Sequence, residues 1–150
     1  MKAVIQRVSE AQVHIEGKEK AQIKTGLLVL LGIAQNDTQE DVAWLAQKLC
    51  QLRIFSDEEQ KMNLSLQDIQ GSILLISQFT LFASTKKGNR PSFMASAKPA
   101  VAIPLYENMI QILEKELPNR VKTGTFGADM QVSLVNDGPV TLIIDTENKF

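Results

Sequence analysis

The chain has 150 residues, 44% of them hydrophobic, and a net charge of −1, which is the composition of an ordinary soluble globular protein. This length fits one domain, residues 1–150, with an interior large enough for a stable core. No apolar run approaches the ~20 residues that a membrane span requires, and the charged N-terminus lacks the apolar stretch of a signal peptide. The single cysteine, Cys50, excludes an intramolecular disulfide and fits a reducing compartment, so we expect a cytoplasmic protein without a membrane anchor.

The net charge also limits how this chain can bind nucleic acid. Proteins that hold nucleic acid mainly through phosphates usually carry a basic excess, so any RNA contact is expected to be local and transient. One short basic cluster, Lys86-Lys87-Gly88-Asn89-Arg90, lies in a polar segment, residues 82–93, that predicts a loop. Such a cluster is usually a solvated loop, and the alternative is a local phosphate contact.

The first half of the chain predicts three strands and a helix. Residues 2–15 alternate between apolar and polar positions, which indicates a strand. Its inward face should carry Ala3, Ile5, Arg7, Ser9, Ala11, Val13 and Ile15. A turn and a second strand follow, and the apolar run 27–33 predicts a strand buried on both faces. Asn36-Asp37-Thr38 can cap a helix whose apolar positions are Val42, Leu45, Leu49 and Leu52.

The second half predicts a buried strand over residues 72–79 and a helix from about Lys98 to Leu117, which Pro118 ends. The stripe of this helix is formed by Ala102, Leu105, Met109 and Leu113. Two further strands, 130–135 and 140–144, should be joined by a turn at Asn136-Asp137-Gly138-Pro139. The chain is therefore predicted to have an α/β fold of the α+β type, with two main helices on a sheet or barrel-like core.

Common catalytic side chains are scarce in this sequence. The alternation places the only histidine, His14, on the polar face of the first strand, where a solvated histidine is the better interpretation than a catalytic base. Cys50 lies between apolar helix positions and is interpreted as a buried structural thiol. A Ser-His-Asp or Cys-His arrangement cannot be assembled from them, nor a zinc site of Cys and His ligands. Any chemistry must come from backbone groups, hydroxyls or the substrate.

Arg7 falls on the apolar face of the first strand, where a charge is costly unless its donors are matched. One interpretation is a side chain that reaches solvent at a sheet edge. The other is a fixed guanidinium that holds the carbonyl groups of a loop.

Two further segments have weak signals of their own. Ser77-Gln78-Phe79-Thr80-Leu81 ends a buried strand and enters a loop, where hydroxyl, amide and backbone N–H groups can face a ligand, although strand-end packing is the default. Gly138-Pro139 indicates a hairpin turn; only about 5–6% of X–Pro bonds are cis.

Together these segments resemble the D-aminoacyl-tRNA deacylase family over nearly the whole chain. The two most specific motifs are Ser77-Gln78-Phe79-Thr80-Leu81 and Asn136-Asp137-Gly138-Pro139-Val140-Thr141, in this order and at this separation. Further matching segments are Ala3 to Val8, Gly26 to Gly32, Arg53 to Asp57, Lys61 to Asn63, Arg90 to Phe93 and Thr123 to Met130.

The resemblance implies a homodimer with two active sites at its interface. The motif with Ser77, Gln78, Phe79 and Thr80 would line the pocket for the 3′-terminal adenosine of aminoacyl-tRNA and its aminoacyl group. Phe126 and Met130 would contact the substrate there. Gly138 and Pro139, joined by a cis peptide, would reach into the site of the other subunit, and Arg7 would lock them in place.

The implied activity is hydrolysis of the ester of D-aminoacyl-tRNA, and of glycyl-tRNA mischarged on tRNA-Ala, with no cofactor and no metal. L-amino acids would collide with the main-chain carbonyls of Gly138-Pro139, so selection would come from a clash with the wrong substrate. Backbone N–H groups near Phe79 and Thr80 would stabilise the oxyanion. A route in which the terminal 2′-OH of the tRNA activates water is preferred over attack by Thr80.

Three alternatives stay open from the sequence. The chain could bind the tRNA end without catalysis, act as an esterase or amidase with Thr80 as nucleophile, or form a structural dimer without a ligand.

Overall fold

A six-stranded mixed sheet, curved into a nearly closed barrel, forms the centre of the fold, and two helices pack on one of its faces. The computed structural model describes residues 1–149. The strands are β1 (Lys2–Ile15), β2 (Lys18–Ile23), β3 (Gly26–Gly32), β4 (Phe55–Ser56), β5 (Met62–Leu64), β6 (Ser72–Ser77), β7 (Val121–Thr123) and β8 (Gln131–Asp145). The helices are α1 (Gln39–Gln51) and α2 (Pro99–Glu116), and a 3₁₀ turn spans Phe79–Phe82. β4 and β5 form a separate two-stranded sheet.

β1 organises the sheet because three strands pair with it. β8 runs antiparallel along nearly its whole length, whereas β3 and then β2 occupy the other edge in succession. β3, β6 and β7 are parallel, and α1 and α2 lie in the crossover connections between them. Parallel neighbours need such crossovers, which is why this half of the sheet is covered by helices.

The predicted single inward face of β1 is wrong beyond Arg7. Val8 pairs with Asn136 and Glu10 with Val135, so Ser9 is an extra residue in β1, and it is exposed. One extra residue reverses which face later side chains occupy. Ala3 and Ile5 therefore pack in the core under the helices, whereas Ala11 and Val13 pack in a second core on the opposite face of the sheet.

The helices form where the sequence predicts them. Thr38 caps α1 by accepting from the N–H of Asp41, whose carboxylate accepts from the N–H of Thr38 in return. Leu52, predicted to lie within the stripe, instead follows the helix as its C-terminal cap. The predicted stripe of α2 is buried and faces α1 and the sheet. In residues 1–149, no helix is both long and apolar enough to cross a membrane.

Two predicted elements are wrong in their boundaries. The strand expected over residues 72–79 ends at Ser77, because the chain turns into the 3₁₀ turn at Phe79. The two strands expected around a hairpin at 136–139 are one continuous strand, β8, and both halves pair with β1. What resembled a hairpin turn is instead a bulge in β8.

Candidate active site

A cavity of about 290 Å³ opens where β3 and β6 end. Its walls come from the ends of these strands, the segment before α2, and the chain between β7 and β8. The residues that line it are Leu31, Ile33, Ile76, Ser77, Gln78, Phe79, Ser96, Ala97, Ala102, Phe126, Gly127, Ala128, Met130 and Val132. The structure thus brings together five of the predicted site residues, namely Ser77, Gln78, Phe79, Phe126 and Met130.

The 3₁₀ turn that follows β6 holds the polar side of this cavity. The N–H of Gln78 donates to the carbonyl oxygen of Leu31 at 2.7 Å, which ties the start of the turn to β3. Gly32 permits this approach, because a Cβ there would lie 3.0 Å from the carbonyl oxygen of Gln78 and 3.1 Å from Leu81. The turn is therefore pressed against the sheet and held by it.

Backbone donors are available at the start of this turn. The N–H groups of Phe79 and Thr80 have no acceptor among residues 1–149, as is usual for the first N–H groups of a helical turn. Thr80 is exposed and does not itself line the cavity, but its Oγ1 accepts a hydrogen bond from Nε2 of Gln78 at 2.5 Å. A side-chain amide cannot take a proton from Thr80, so this contact orients the hydroxyl without activating it.

Phe126 and Met130 form an apolar wall of the cavity. A Cβ on Gly124 would lie 2.4 Å from the Sδ of Met130, so the Met130 thioether occupies the space that a side chain at 124 would fill. The ring of Phe126 contacts Tyr106 of α2, with 5.7 Å between ring centroids. Tyr106 is buried, and its hydroxyl donates to the carbonyl oxygen of Leu75 at 3.0 Å. Burial raises the pKa of Tyr106 to about 12, so this hydroxyl stays protonated and keeps its hydrogen bond to Leu75. The ring of Tyr106, held in this way, supports Phe126.

Arg7 is only 9% exposed and is held by carbonyl groups. Its Nη1 donates to the carbonyl oxygen of Ile54 at 2.6 Å and its Nε to that of Asp137 at 3.0 Å. The Asp137 carboxylate lies 3.5 Å from Nε but is mostly exposed. Of the two interpretations from the sequence, the structure therefore has the fixed guanidinium and not the solvent-reaching side chain.

The bulge in β8 lies directly opposite Arg7. Gln6 pairs with Thr141 and Val8 with Asn136, so residues 137–140 face the single residue Arg7. The side chain of Asn136 closes the base of the bulge, since it accepts from the N–H of Val140 and donates to Thr141.

Gly138 and Pro139, at the tip of the bulge, are exposed, and the peptide bond between them is cis. Gly138 has φ of +132°, and a Cβ there would lie 3.0 Å from Nη2 of Arg7, so this position requires glycine. Among the described residues, neither Gly138, Pro139 nor Arg7 lines the cavity of its own chain. The structure thus places five of the predicted site residues at the cavity and three, Arg7, Gly138 and Pro139, at the bulge, with Thr80 beside the cavity on the 3₁₀ turn.

Cys50 is buried, as the sequence predicts, whereas the interpretation of His14 as a solvated histidine holds only in part. Burial raises the pKa of Cys50 to about 11, which removes the thiolate that a nucleophile needs. His14 is half-buried on β1, between β2 and β8, rather than fully solvated, and it does not line the cavity.

Sequence reasoning missed Tyr106, Gly32 and Gly124. Tyr106 is the only tyrosine of the chain and completes the apolar stripe of α2 one residue after Leu105, a signal that was available. The two glycines carry no such signal, because their importance depends on which atoms approach them in the folded chain.

Comparison with known proteins identifies the family to which the chain belongs. The model of the D-Tyr-tRNA(Tyr) deacylase family matches residues 4–145. The chain belongs to this family. A deacylase family of this kind consists of hydrolases, so the chain is an enzyme that hydrolyses ester bonds.

Full-length relatives support this deacylase membership. The chain is 62% identical over 149 residues to a D-aminoacyl-tRNA deacylase of Cytophaga hutchinsonii, and 56% identical over 149 residues to one of Flavobacterium johnsoniae. In both cases the match covers 99% of this chain and 99% of the relative.

Two solved structures share the fold of this deacylase family member. A structure titled c-Myc DNA Unwinding Element Binding Protein has a TM-score of 0.92 and 41% identity, covering 97% of this chain and 98% of the other. A second, titled as a probable eukaryotic D-amino acid tRNA deacylase, has a TM-score of 0.81 and covers 95% and 97%. Its identity of 18% makes it evidence for the fold alone.

Proposed function

We propose that this chain hydrolyses the ester bond of D-aminoacyl-tRNA and releases the free D-amino acid and tRNA. The family match over residues 4–145 carries this proposal. The cavity at the ends of β3 and β6 supplies a place for it, since it combines an apolar wall with backbone and amide donors at one end. This combination suits an aminoacyl group attached to a ribose.

In the proposed reaction, water attacks the ester carbonyl carbon, and the bond from that carbon to the ribose oxygen breaks. The carbonyl oxygen becomes negative during the attack, and the N–H groups of Phe79 and Thr80 stabilise it, since neither has another acceptor among the described residues. The proton that water loses ends on the departing ribose oxygen.

The neighbouring 2′-OH of the terminal ribose activates the water in this proposal. Thr80 does not act as nucleophile, because its hydroxyl contacts the amide of Gln78 and no base in the described part of the chain. Gln78 and Thr80 position the ester, and the fixed orientation of substrate and water supplies several kcal/mol of the rate enhancement.

Chiral selection comes from main-chain atoms of Gly138 and Pro139 in this proposal. A wall of backbone atoms rejects every L side chain by collision, whatever its chemistry, while D-amino acids and glycine fit, including glycine mischarged on tRNA-Ala. Support comes from Arg7, which holds the carbonyl of Asp137 at the start of the bulge, and from Gly138, whose position tolerates no side chain.

The bulge and the cavity meet across a homodimer interface in this proposal. Within one chain Gly138 and Pro139 are exposed and do not line the cavity, and in this proposal a second copy supplies them. The outer edge of β8 has no partner strand among the described residues, and it exposes Val135 by 49% and Ile143 by 65%. An unpaired, apolar edge strand is a surface that proteins normally cover.

The proposed activity is tested by incubating the purified protein with D-aminoacyl-tRNA and following both release and binding. Release of the amino acid, at a rate proportional to enzyme concentration, supports the proposal. Binding without release would replace it with a module that holds the tRNA end, and an acyl adduct trapped on Thr80 would replace the water route with a threonine nucleophile.

A further inference from the structure

The charges of this chain are distributed unevenly. Residues 69–106 contain no aspartate or glutamate but carry Lys86, Lys87, Arg90 and Lys98. These four positive charges, in a chain of net charge −1, leave a net charge of −5 on the rest of the molecule. The acid-free segment includes β6, the 3₁₀ turn and part of the cavity lining, so the positive charge and the cavity belong to the same part of the fold.

Three of these charges lie on one closed loop, residues 84–92. Its ends are joined by two backbone hydrogen bonds between Ser84 and Ser92, of 2.8 and 2.9 Å. Lys86, Lys87 and Arg90 are exposed, and none forms a salt bridge with a carboxylate of residues 1–149. The loop therefore presents three uncompensated cations on a base of fixed geometry.

The base of the loop packs directly on the candidate active site. Phe93, the residue after the second hydrogen-bonded serine, contacts the ring of Phe79 edge to face, with 5.1 Å between the ring centroids. Phe79 lines the cavity and begins the 3₁₀ turn. This aromatic contact therefore ties the base of the loop to the start of the 3₁₀ turn beside the cavity.

We propose that the loop of residues 84–92 binds phosphates of the RNA strand next to the aminoacylated 3′ end. This inference rests on the proposed function. Phosphate contacts from lysine and arginine set the position of an RNA strand without reading its sequence, which suits a loop that orients the strand. Because the rest of the chain is net negative, it repels RNA elsewhere, and the loop orients the strand so that its 3′ end enters the cavity.

This assignment has a distinct kinetic consequence. A loop that binds phosphates lowers KM for the whole tRNA and does nothing for a substrate that lacks phosphates. A loop that is only solvated would leave KM unchanged for both kinds of substrate. Each phosphate neutralised on a single strand contributes ~0.7 to the slope of log affinity against log salt concentration, so three cations contribute up to ~2.

The test compares two triple variants that remove the same charge. The loop variant carries Lys86→Ala, Lys87→Ala and Arg90→Ala, and the control carries Lys18→Ala, Lys20→Ala and Lys115→Ala, three exposed lysines away from the loop. Each is assayed on full D-aminoacyl-tRNA and on D-aminoacyl-adenosine, which has no phosphate, over a series of salt concentrations. Equal thermal stability of the variants and the parent confirms that both are folded.

With tRNA at low salt, we expect the loop variant to raise KM at least tenfold with kcat unchanged, and to lower the salt slope of kcat/KM by 1 to 2. With D-aminoacyl-adenosine it should match the parent, and the control variant should match the parent on both substrates.

An unchanged KM and salt slope on tRNA would overturn the inference while leaving the proposed function intact. A loss of kcat on D-aminoacyl-adenosine would also overturn it, because the loop would then support the 3₁₀ turn rather than bind phosphate. If the parent protein hydrolyses neither substrate, the proposed function fails and the inference falls with it.

Discussion

Arg7 donates a hydrogen bond from its Nε to the backbone carbonyl oxygen of Asp137 at 3.0 Å. Asp137 is the first residue of the bulge in β8, which lies opposite Arg7 on the neighbouring strand. A second bond, from Nη1 to the carbonyl oxygen of Ile54, holds the other side of the guanidinium. The main-chain position of the bulge that carries Gly138 and Pro139 therefore depends on a side chain of β1 that lies 130 residues before Asp137.

Replacing Arg7 by alanine should reduce chiral discrimination more than it reduces folding. Loss of a hydrogen bond from a charged group costs about 1.5–3 kcal/mol, which is enough to free the bulge while both cores stay packed. If the activation free energy for the L-substrate falls by about 1.4 kcal/mol, the rate of its hydrolysis rises tenfold. We expect the ratio of D- to L-aminoacyl-tRNA hydrolysis to fall at least about tenfold, as measured by deacylation kinetics.

The matched control for this variant is Arg120→Ala. Arg120 also donates to a backbone carbonyl, that of Gly71, which lies neither in the bulge nor next to Ile54. It should keep the parent ratio. A folded Arg7→Ala protein with an undiminished ratio would make Arg7 a packing residue only.

Thr80→Ala should retain substantial hydrolytic activity, because the Thr80 hydroxyl contacts an amide and, within residues 1–149, no base that could activate it. Replacing the terminal 2′-OH of the tRNA by hydrogen should instead lower the rate by about two orders of magnitude or more, within the range of acid–base contributions. Single-turnover assays of the Thr80→Ala enzyme on the normal substrate, and of the parent enzyme on the 2′-deoxy substrate, measure these two rates. A Thr80→Ala protein that binds substrate but is inactive, together with a hydrolysed 2′-deoxy substrate, would favour a threonine nucleophile.

Much of the fold follows from local patterns, and β8 shows where such patterns fail. The two helices follow from their apolar periodicity and, for α1, from the Thr38 cap, and β3 follows from its continuous apolar run; all of these signals are local. Residues 136–139 have the composition of a hairpin turn, yet the chain continues in the same direction, because β1 offers pairing partners on both sides of the bulge. Only a partner distant in sequence decides between the two outcomes.

The candidate site also combines features that have a local sequence signal with features that depend on distant segments. The inward position of Arg7 follows from alternation, whereas its acceptors on Ile54 and Asp137 lie in other segments and have no local signal. The sequence predicts a strand up to Phe79, but tertiary contacts with Leu31 and Gly32 turn the chain at Gln78. The roles of the nine predicted site residues stay predictions.

Gly124→Ala should alter the apolar wall of the cavity without unfolding the protein. A Cβ at 124 would lie 2.4 Å from the Sδ of Met130, and a flexible thioether moves more readily than backbone. The displaced side chain should raise KM several-fold and shift the preference toward D-amino acids with smaller side chains. Michaelis–Menten kinetics on a series of D-aminoacyl-tRNAs measures this.

Met130→Ala provides the internal control for this prediction. Shortening Met130 removes the atoms that the new Cβ would meet, so Gly124→Ala should have little further effect in the Met130→Ala background. Additive effects of the two substitutions would mean that Gly124 acts on something other than Met130.

Ile143→Glu should dissociate the proposed dimer and abolish activity together. Ile143 is 65% exposed on β8, so a charge there leaves the cores of one chain intact but opposes burial against a second copy. Light scattering should give the mass of a dimer for the parent and of a monomer for the variant. Met62→Glu, at a methionine of β5 that is 59% exposed, is the control and should remain dimeric and active. A parent protein that is fully active as a monomer would refute the shared site.

The most direct measurement of the central claim is the ratio of deacylation rates for one tRNA charged with the two enantiomers of the same amino acid. A main-chain wall at Gly138 and Pro139 predicts rapid release of the D-amino acid and an L-ester hydrolysed about 10³-fold more slowly, a difference of about 4 kcal/mol between the transition states. Equal rates for the two enantiomers would contradict the account, because the bulge that Arg7 holds would then have no effect on the substrate.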